Sequence, residues 1–221
     1  MIDHTAYQLA MRAKLLTLEV VTTGSTTLSA TATGYARASG SFITDGFAVG
    51  MEVVGSGFAN GVNNTPGRTL TAVTALALTC TGCSAEGASA GRTVSVGVPD
   101  TRLWENVPVE PVAGKPYFTE QYLPGPYARE ELGPTAQFEA RPVYVVGVHA
   151  VSNAGLAAAS EYADALLTLF APGLALTASN GDVLRVRSDT GPFRGQLVNN
   201  EPGWAFIPVT IPFRVRTTNA I

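Results

Sequence analysis

Residues 20–99 differ in composition from the chain on either side of them, and this difference limits how the chain can be organised. The block holds thirteen of the 23 glycines, fourteen threonines and only six side chains of the Asp, Glu, Lys and Arg types. Short runs rich in Thr and Val alternate with turns that contain Gly and Asn, a pattern typical of β-structure. The predicted strands lie at residues 26–33, 51–54, 69–74, 77–81 and 93–98. We therefore predict that this block forms a small β-sandwich or barrel.

Two helices are predicted outside this block. The first covers residues 5–18, with Asp3 or Thr5 as its N-cap. Its predicted buried face consists of Ala6, Leu9, Ala10, Ala13 and Leu16. The second covers residues 154–170, with Asn153 as its cap and Pro172-Gly173 as its stop. Its predicted stripe consists of Leu156, Ala159, Ala163, Leu166 and Phe170.

Strands fill the remainder of the chain after the block. They are predicted at residues 102–108, 117–123, 138–151, 183–187, 193–197 and 204–216. The stretch 143–148 is apolar on both faces, which indicates a central strand. Pro208 and Pro212 fall on the same side of the last strand, which suits a sheet edge or a strand that bends.

The first helix is too short to fold alone, so it must pack on the sheet that follows the block. We therefore predict an α+β domain made of residues 1–19 and 100–221, with a mixed or antiparallel sheet and two packing helices. An inserted all-β domain, residues 20–99, interrupts it, and its two ends are expected to lie close together in space.

Composition and motifs exclude several classes of protein. The net charge of −3 and the pI near 5.4 argue against a basic nucleic-acid-binding protein. We expect no membrane-spanning helix and no secretory signal, because the chain lacks a long apolar run and its first residues lack an apolar segment. Nucleotide-binding glycine motifs are also missing from the sequence. No cofactor is therefore predicted.

The cysteines and histidines do not form a recognisable site. Cys80 and Cys83 form a single CxxC motif, whereas a zinc site needs four ligands. This favours reduced thiols in a turn, with a local disulfide as the next alternative and a metal site as the third. His4 is expected to be a solvated residue of the first helical turn, and His149 a strand residue bonded to backbone or water. A hydrolase that uses Cys80 or His149 is the weakest alternative, so no catalytic or metal-binding residue is predicted.

Arginines recur at alternate positions near the end of the chain. Arg185 and Arg187 share one strand face, and so do Arg214 and Arg216. Such a pattern predicts either an ordinary polar surface or a row of arginines that meets acids on a neighbouring subunit.

Several short motifs carry a resemblance. They are LWENVP at residues 103–108, PYFTEQYLP at 116–124, Leu132-Gly133, the alanine-rich helix from residue 157, and apolar final strands. Together with the N-terminal helix, they resemble the tail-terminator-like proteins of long-tailed bacteriophages over residues 1–19 and about 101–217. Residues 41–50, 55–60 and 70–74 resemble a small β module of phage structural proteins, which the family core normally lacks.

The resemblance implies a non-enzymatic virion protein that is assembled in the bacterial host cytoplasm. It implies a hexameric ring of identical copies that caps the head-proximal end of the tail tube and stops tube polymerisation. Its expected partners are further copies of itself, the tail tube protein and the head-completion or connector protein of the neck, with no membrane partner. Genomic DNA would pass through the bore without specific binding, so we expect a net negative bore. The inserted block would project outward.

Six residues are predicted to lie at interfaces. Residues 124–136 form a long, proline-bracketed loop that is expected to contact the tube or a neighbour, or else to be an exposed hairpin tip. The candidates are Tyr127, Arg129, Glu130 and Glu131 in this loop, and Arg185 and Arg187. Two other functions stay open: another neck or tail component, and a surface-binding module in which the inserted block recognises glycans.

Overall fold

The computed structural model describes residues 3–23, 26–104, 110–129, 138–151, 156–201 and 203–217. In these residues, two α-helices accompany two β-sheets. The first sheet is antiparallel throughout, and the second is a mixed sheet that curls into a half-barrel. The α+β class predicted from the sequence is therefore confirmed.

The first sheet is built from the block of low charge. Its strands are β1 (Glu19–Thr22), β2 (Thr26–Thr31), β3 (Gly34–Arg37), β4 (Glu52–Ser56), β5 (Arg68–Thr69), β6 (Ala72–Val73), β7 (Ala77–Thr79) and β8 (Glu86–Gly97), with a 3₁₀ helix at Gly61–Asn64. They are ordered β5-β4-β8-β2-β3-β7-β6, and β1 also pairs with β8. The segment from Arg68 to Val73 pairs with β4 where it begins and with β7 where it ends. Both edges of the sheet thus meet in one segment, as in a barrel.

All six charged side chains of residues 20–99 bind other groups of the protein. They are Arg37, Asp45, Glu52, Arg68, Glu86 and Arg92. Arg37 donates to Asp45 at 2.7 Å, and Arg92 pairs with Glu86. Arg68 donates to three backbone carbonyl groups, and Glu52 accepts from a backbone N–H. Because these charges serve internal contacts, most exposed residues of the block are Thr, Ser, Ala and Gly.

The second sheet contains the remaining strands. They are β9 (Thr101–Leu103), β10 (Tyr117–Leu123), β11 (Tyr127–Arg129), β12 (Phe138–Ala140), β13 (Val143–Val151), β14 (Ala175–Thr177), β15 (Val183–Val186), β16 (Phe193–Arg194), β17 (Val198–Glu201) and β18 (Trp204–Thr217). Their order is β11-β12-β18-β13-β10-β9, with β15, β16 and β17 also on β18 and β14 on β15. Only the β9–β10 pairing is parallel among the described strands. Strand β13 lies between β10 and β18, which confirms the predicted central strand.

Strand β18 is the most extensively paired strand of the second sheet. Strands β12 and β13 pair with one side of it, and β15, β16 and β17 pair with the other. The sheet-edge interpretation of its two prolines is therefore wrong. Pro208 accepts from the N–H of Gly195 and Pro212 from that of Arg187, at 2.7 and 2.9 Å, so both prolines face the side of the short strands. The ladder to β13 consequently loses no N–H donor.

Helix α1 (His4–Leu15) begins where the sequence predicts but buries a different face. Asp3 caps it, because its carboxylate accepts from the N–H of Ala6 at 3.0 Å. Its buried residues are Ala6, Tyr7, Met11 and Leu15. Leu9 and Leu16 are 52% and 49% exposed, so the predicted face is wrong at its large residues and correct at Ala6. Tyr7 and Met11 bury more apolar surface than the alanines of the predicted face would, so the helix turns these two residues toward the core. The Tyr7 hydroxyl also donates to Asp182 at 2.6 Å.

A buried carboxylate fixes α1 on the second sheet. The Glu120 side chain is fully buried on β10 and forms an ion pair with Arg12 of α1. It also accepts from Gln8 at 3.2 Å and from the Tyr144 hydroxyl at 2.8 Å. These hydrogen bonds compensate for the loss of water around the carboxylate.

Helix α2 (Ala157–Leu169) packs across β13 and β18. Its buried residues are Ala158, Ala159, Tyr162, Ala163 and Leu166, and Phe170 after it is buried too. Most of the predicted stripe is confirmed, whereas Leu156 is 54% exposed. The predicted cap, Asn153, lies outside the described residues. Neither described helix is both long and apolar enough to cross a membrane.

The two ends of residues 20–99 lie side by side, as predicted. Glu19 is the register partner of Gly97 in the β1–β8 ladder. Next to this junction, the N–H of Glu52 donates to the Tyr162 hydroxyl at 3.3 Å, and the Glu52 carboxylate accepts from the N–H of Asp100 at 2.7 Å. Side chains of both sheets and both helices belong to one continuous core. The division into two domains stays a prediction.

Candidate interface surfaces

One face of the second sheet carries five arginines, Arg141, Arg185, Arg187, Arg214 and Arg216, which we call the arginine face. Strands β15 and β18 alternate between buried and exposed residues. Leu184 and Val215 point into the core under the helices, so their neighbours in sequence point to the opposite face. The arginines predicted from the alternation therefore do share a face.

Arg185 and Arg214 are directly opposed on this face. They are register partners in the antiparallel ladder between β15 and β18, and both are exposed. Among the described residues, neither forms an ion pair. Like charges at opposed positions of a ladder destabilise a sheet. Arg185 and Arg214 therefore have no ion-pair partner in the described part of the subunit, although Arg214 lines a cleft together with Glu139 and Asp189.

The other arginines of this face have acidic neighbours. Arg187 donates to Asp189 at 2.6 Å, and this hydrogen bond lowers the pKa of Asp189 and raises the pKa of Arg187. Arg141 and Arg216 both lie beside the buried Glu139, at 2.6 and 3.8 Å. A cleft of about 290 Å³ lies between these groups. Among the described residues, five guanidinium groups stand against two carboxylates, so this part of the arginine face is net positive.

The predicted loop residues lie elsewhere. Tyr127 and Arg129 are in β11, at the edge of the sheet. Tyr127 aligns through Ala140 and Val215 with Leu184, so it faces the helices, on the side opposite to Arg185. Glu130 and Glu131 lie outside the described residues. The structure thus brings Arg185 and Arg187 together but places Tyr127 apart from them.

His4 is part of an aromatic cluster rather than a solvated residue, so that prediction is wrong. Its Nδ1 lies 2.7 Å from the Tyr122 hydroxyl, and its Nε2 contacts the Tyr127 hydroxyl. Burial lowers the pKa of His4, and the nearby Asp3 carboxylate opposes this shift. The strands that carry the two tyrosines are far away in sequence, so composition near His4 could not predict the contact.

His149 and the two cysteines hold structural positions. His149 stacks on Tyr117 at a ring distance of 4.1 Å, and its Nε2 lies 3.4 Å from the Thr119 hydroxyl. The sulfurs of Cys80 and Cys83 are 3.6 Å apart, and both residues are free thiols. Burial raises the pKa of Cys80 to about 12, so its thiol stays protonated near neutral pH. The described residues contain no cluster of three or more His, Cys, Asp or Glu side chains suited to a metal ion.

An acidic surface on the other side of the molecule was missed by sequence reasoning. Glu19 of β1 and Glu161 and Asp164 of α2 border a groove of about 380 Å³, which we call the acidic groove. Its members come from segments more than a hundred residues apart in the sequence. Only the docking of α2 beside β1 brings them together, so no local pattern could have indicated them.

Comparison with known proteins identifies the family. The family model described as phage tail terminator protein matches residues 84–213, which is more than half of the chain. The match begins just before β8 and ends within β18. No curated protein and no solved structure matches the chain. The chain therefore belongs to the phage tail terminator protein family, and it is a structural, non-enzymatic component of the virion that caps the tail tube.

Proposed function

We propose that this chain closes into a hexameric ring on the head-proximal end of the tail tube and joins the tail to the connector of the neck. The family match supports the capping role. The arginine face supports the ring, because Arg185 and Arg214 need an anionic partner that the described part of the subunit does not supply. A head-to-tail contact between copies supplies such a partner and closes into a ring when its rotation closes.

We also infer how the ring is oriented around the DNA. The arginine face would hold phosphate groups if it lined the bore, and DNA must slide through without sticking. It is therefore turned toward a neighbouring protein, and the net charge of −3 leaves acidic groups for the bore. Residues 20–99 project outward, since their surface of uncharged small residues is suited to neither contact.

Polymerisation of the tail tube tests the proposed function. Purified tail tube protein is assembled with and without this chain, and the tubes are imaged by negative-stain electron microscopy. We expect a ring with six-fold symmetry at one end of each tube, and we expect capped ends not to grow when fresh tube protein is added. An unrelated protein of similar mass is the control. Binding along the sides of the tubes, or continued growth at both ends, would contradict the proposal.

The alternative of glycan recognition by residues 20–99 gains no support from the aromatic side chains. Sugar binding relies on exposed aromatic rings for stacking. Tyr35, Phe42, Phe47 and Phe58 are all at most 5% exposed. The other alternative, a different neck or tail component, predicts a different location, and the position of the protein in an intact virion separates it from the terminator role.

A further inference from the structure

We propose that the arginine face of one copy binds the acidic groove of the next copy. This inference rests on the proposed ring, and it names the two surfaces that form the contact between subunits. Each surface has charges that the described part of its own subunit leaves unpaired.

On the positive side, the unpaired groups are Arg185 and Arg214. Their guanidinium groups project from opposed positions of neighbouring strands, so they form a compact pair of donors. A guanidinium group binds a carboxylate with two parallel hydrogen bonds, which gives both strength and orientation. Carboxylates of a protein partner are therefore a suitable match for this pair.

On the negative side, the unpaired groups are Glu19 and Glu161. Both are exposed at the acidic groove, and among the described residues neither has a cationic partner. Asp164 pairs with Arg194 at 3.2 Å, but their side chains are 59% and 48% exposed, so this pair is a weak surface contact that a partner can replace. Three apolar residues, Val20, Ala165 and Leu169, and two threonines, Thr17 and Thr168, complete the lining of the groove.

The two surfaces lie on opposite sides of the second sheet. Arg214 and Arg216 point away from the helices, whereas Glu161 and Asp164 lie on the exposed side of α2, which packs on the other face. A subunit therefore cannot join its own two surfaces, and a two-fold dimer cannot satisfy both contacts at once. The contact must run from head to tail, and such contacts produce a closed ring or a filament.

Charge reversal on each surface tests this pairing. One variant carries Arg185→Glu and Arg214→Glu, and the other carries Glu19→Lys and Glu161→Lys. We expect each variant alone to assemble at least about tenfold less well than the wild type, because two like-charged surfaces then face each other. Assembly is measured by light scattering and by imaging of rings on tube ends. The control is Glu110→Lys, which changes the charge of an exposed residue outside both surfaces.

A mixture of the two variants provides the decisive measurement. In the mixture, the reversed face of one variant meets the reversed groove of the other, and the two native surfaces also match. We expect rings that contain both variants in alternation, an outcome that two misfolded variants cannot produce. If both variants assemble like the wild type, or if the mixture stays unassembled although each variant shows the circular dichroism and cooperative melting of the wild type, the pairing is wrong while the ring itself stands.

Two further outcomes would overturn the pairing for different reasons. If the wild type forms no ring, either in solution or on tubes, the proposed function fails and the pairing fails with it. If reversal of the arginines leaves assembly intact but abolishes binding to a duplex DNA oligonucleotide, the arginine face is a phosphate-binding surface and the pairing is overturned.

Discussion

At the scale of single residues, Arg185 and Arg214 show a conflict between stability and assembly. Their opposed positive charges weaken the β15–β18 ladder of an isolated subunit. We expect Arg185→Thr to raise the free energy of unfolding by about 0.5 kcal/mol, since it removes this repulsion and threonine favours strands. Urea denaturation at low salt measures the change, and added salt is expected to reduce it. Arg141→Thr is the matched control, because it removes a pair with Glu139 and brings no such gain.

His4 provides a prediction of pH dependence. Its pKa in the folded protein is lowered by burial, so the unfolded chain binds a proton more readily than the folded protein does. The stability that neutral His4 provides is present above its unfolded pKa of about 6.5, and it is lost as the pH falls from that value through the lower folded pKa.

The variant His4→Asn isolates this contribution, because asparagine does not titrate. We expect the difference in unfolding free energy between the wild type and His4→Asn to shrink as the pH is lowered from about 8 to about 5. Denaturation curves at several pH values measure it. A difference that grows toward acid pH would mean that the tyrosine hydroxyls around His4 stabilise its charged form instead.

At the scale of elements, α1 offers a direct test of which face is buried. Met11 is fully buried, whereas Leu9, predicted to be buried, is 52% exposed. We expect Met11→Ala to lower the free energy of unfolding by about 2–4 kcal/mol, because it leaves a cavity in the core. Leu9→Ala is expected to change it by less than about 0.5 kcal/mol. Thermal and urea denaturation of the two variants measure both values, and the reverse order would show that α1 packs as the sequence predicted.

The elements also show what a sequence pattern can and cannot determine. Strand β10 was predicted with its observed bounds, and β13 was predicted as central, because each has a clear local pattern of apolar residues. Strand β3 was not predicted. A charged residue such as Arg37 usually lies at the surface, but here contacts with Asp45 and the Phe42 ring bury it. Arg185 and Arg214 lie opposite each other because β15 pairs with β18 in one particular register. Local sequence patterns do not predict the register between strands that are distant in sequence.

At the scale of the whole molecule, charge is distributed very unevenly. The block of residues 20–99 uses its few charges for internal contacts, whereas the second sheet and α2 present unpaired charges of opposite sign on opposite sides. This arrangement of charges favours head-to-tail contacts between copies over two-fold ones.

The contact between the first sheet and α2 predicts how the whole molecule unfolds. The buried Tyr162 hydroxyl accepts from the N–H of Glu52, and the core continues across this boundary. We expect Tyr162→Phe to lower the free energy of unfolding by about 1–2 kcal/mol, because it leaves that N–H without its acceptor. If the two sheets unfold as one cooperative unit, both should lose the same amount of unfolding free energy.

Amide hydrogen exchange distinguishes the two sheets. Val94 in the first sheet and Val146 in the second are both fully buried, so their amides report on the opening of each core. We expect Tyr162→Phe to reduce the protection of both amides by the same factor. The control is Tyr35→Phe. The Tyr35 hydroxyl donates to the carbonyl of Asn63, so the lost contact lies entirely within residues 20–99. A loss of protection at Val94 alone in Tyr162→Phe would show that residues 20–99 unfold separately, as an independent inserted domain.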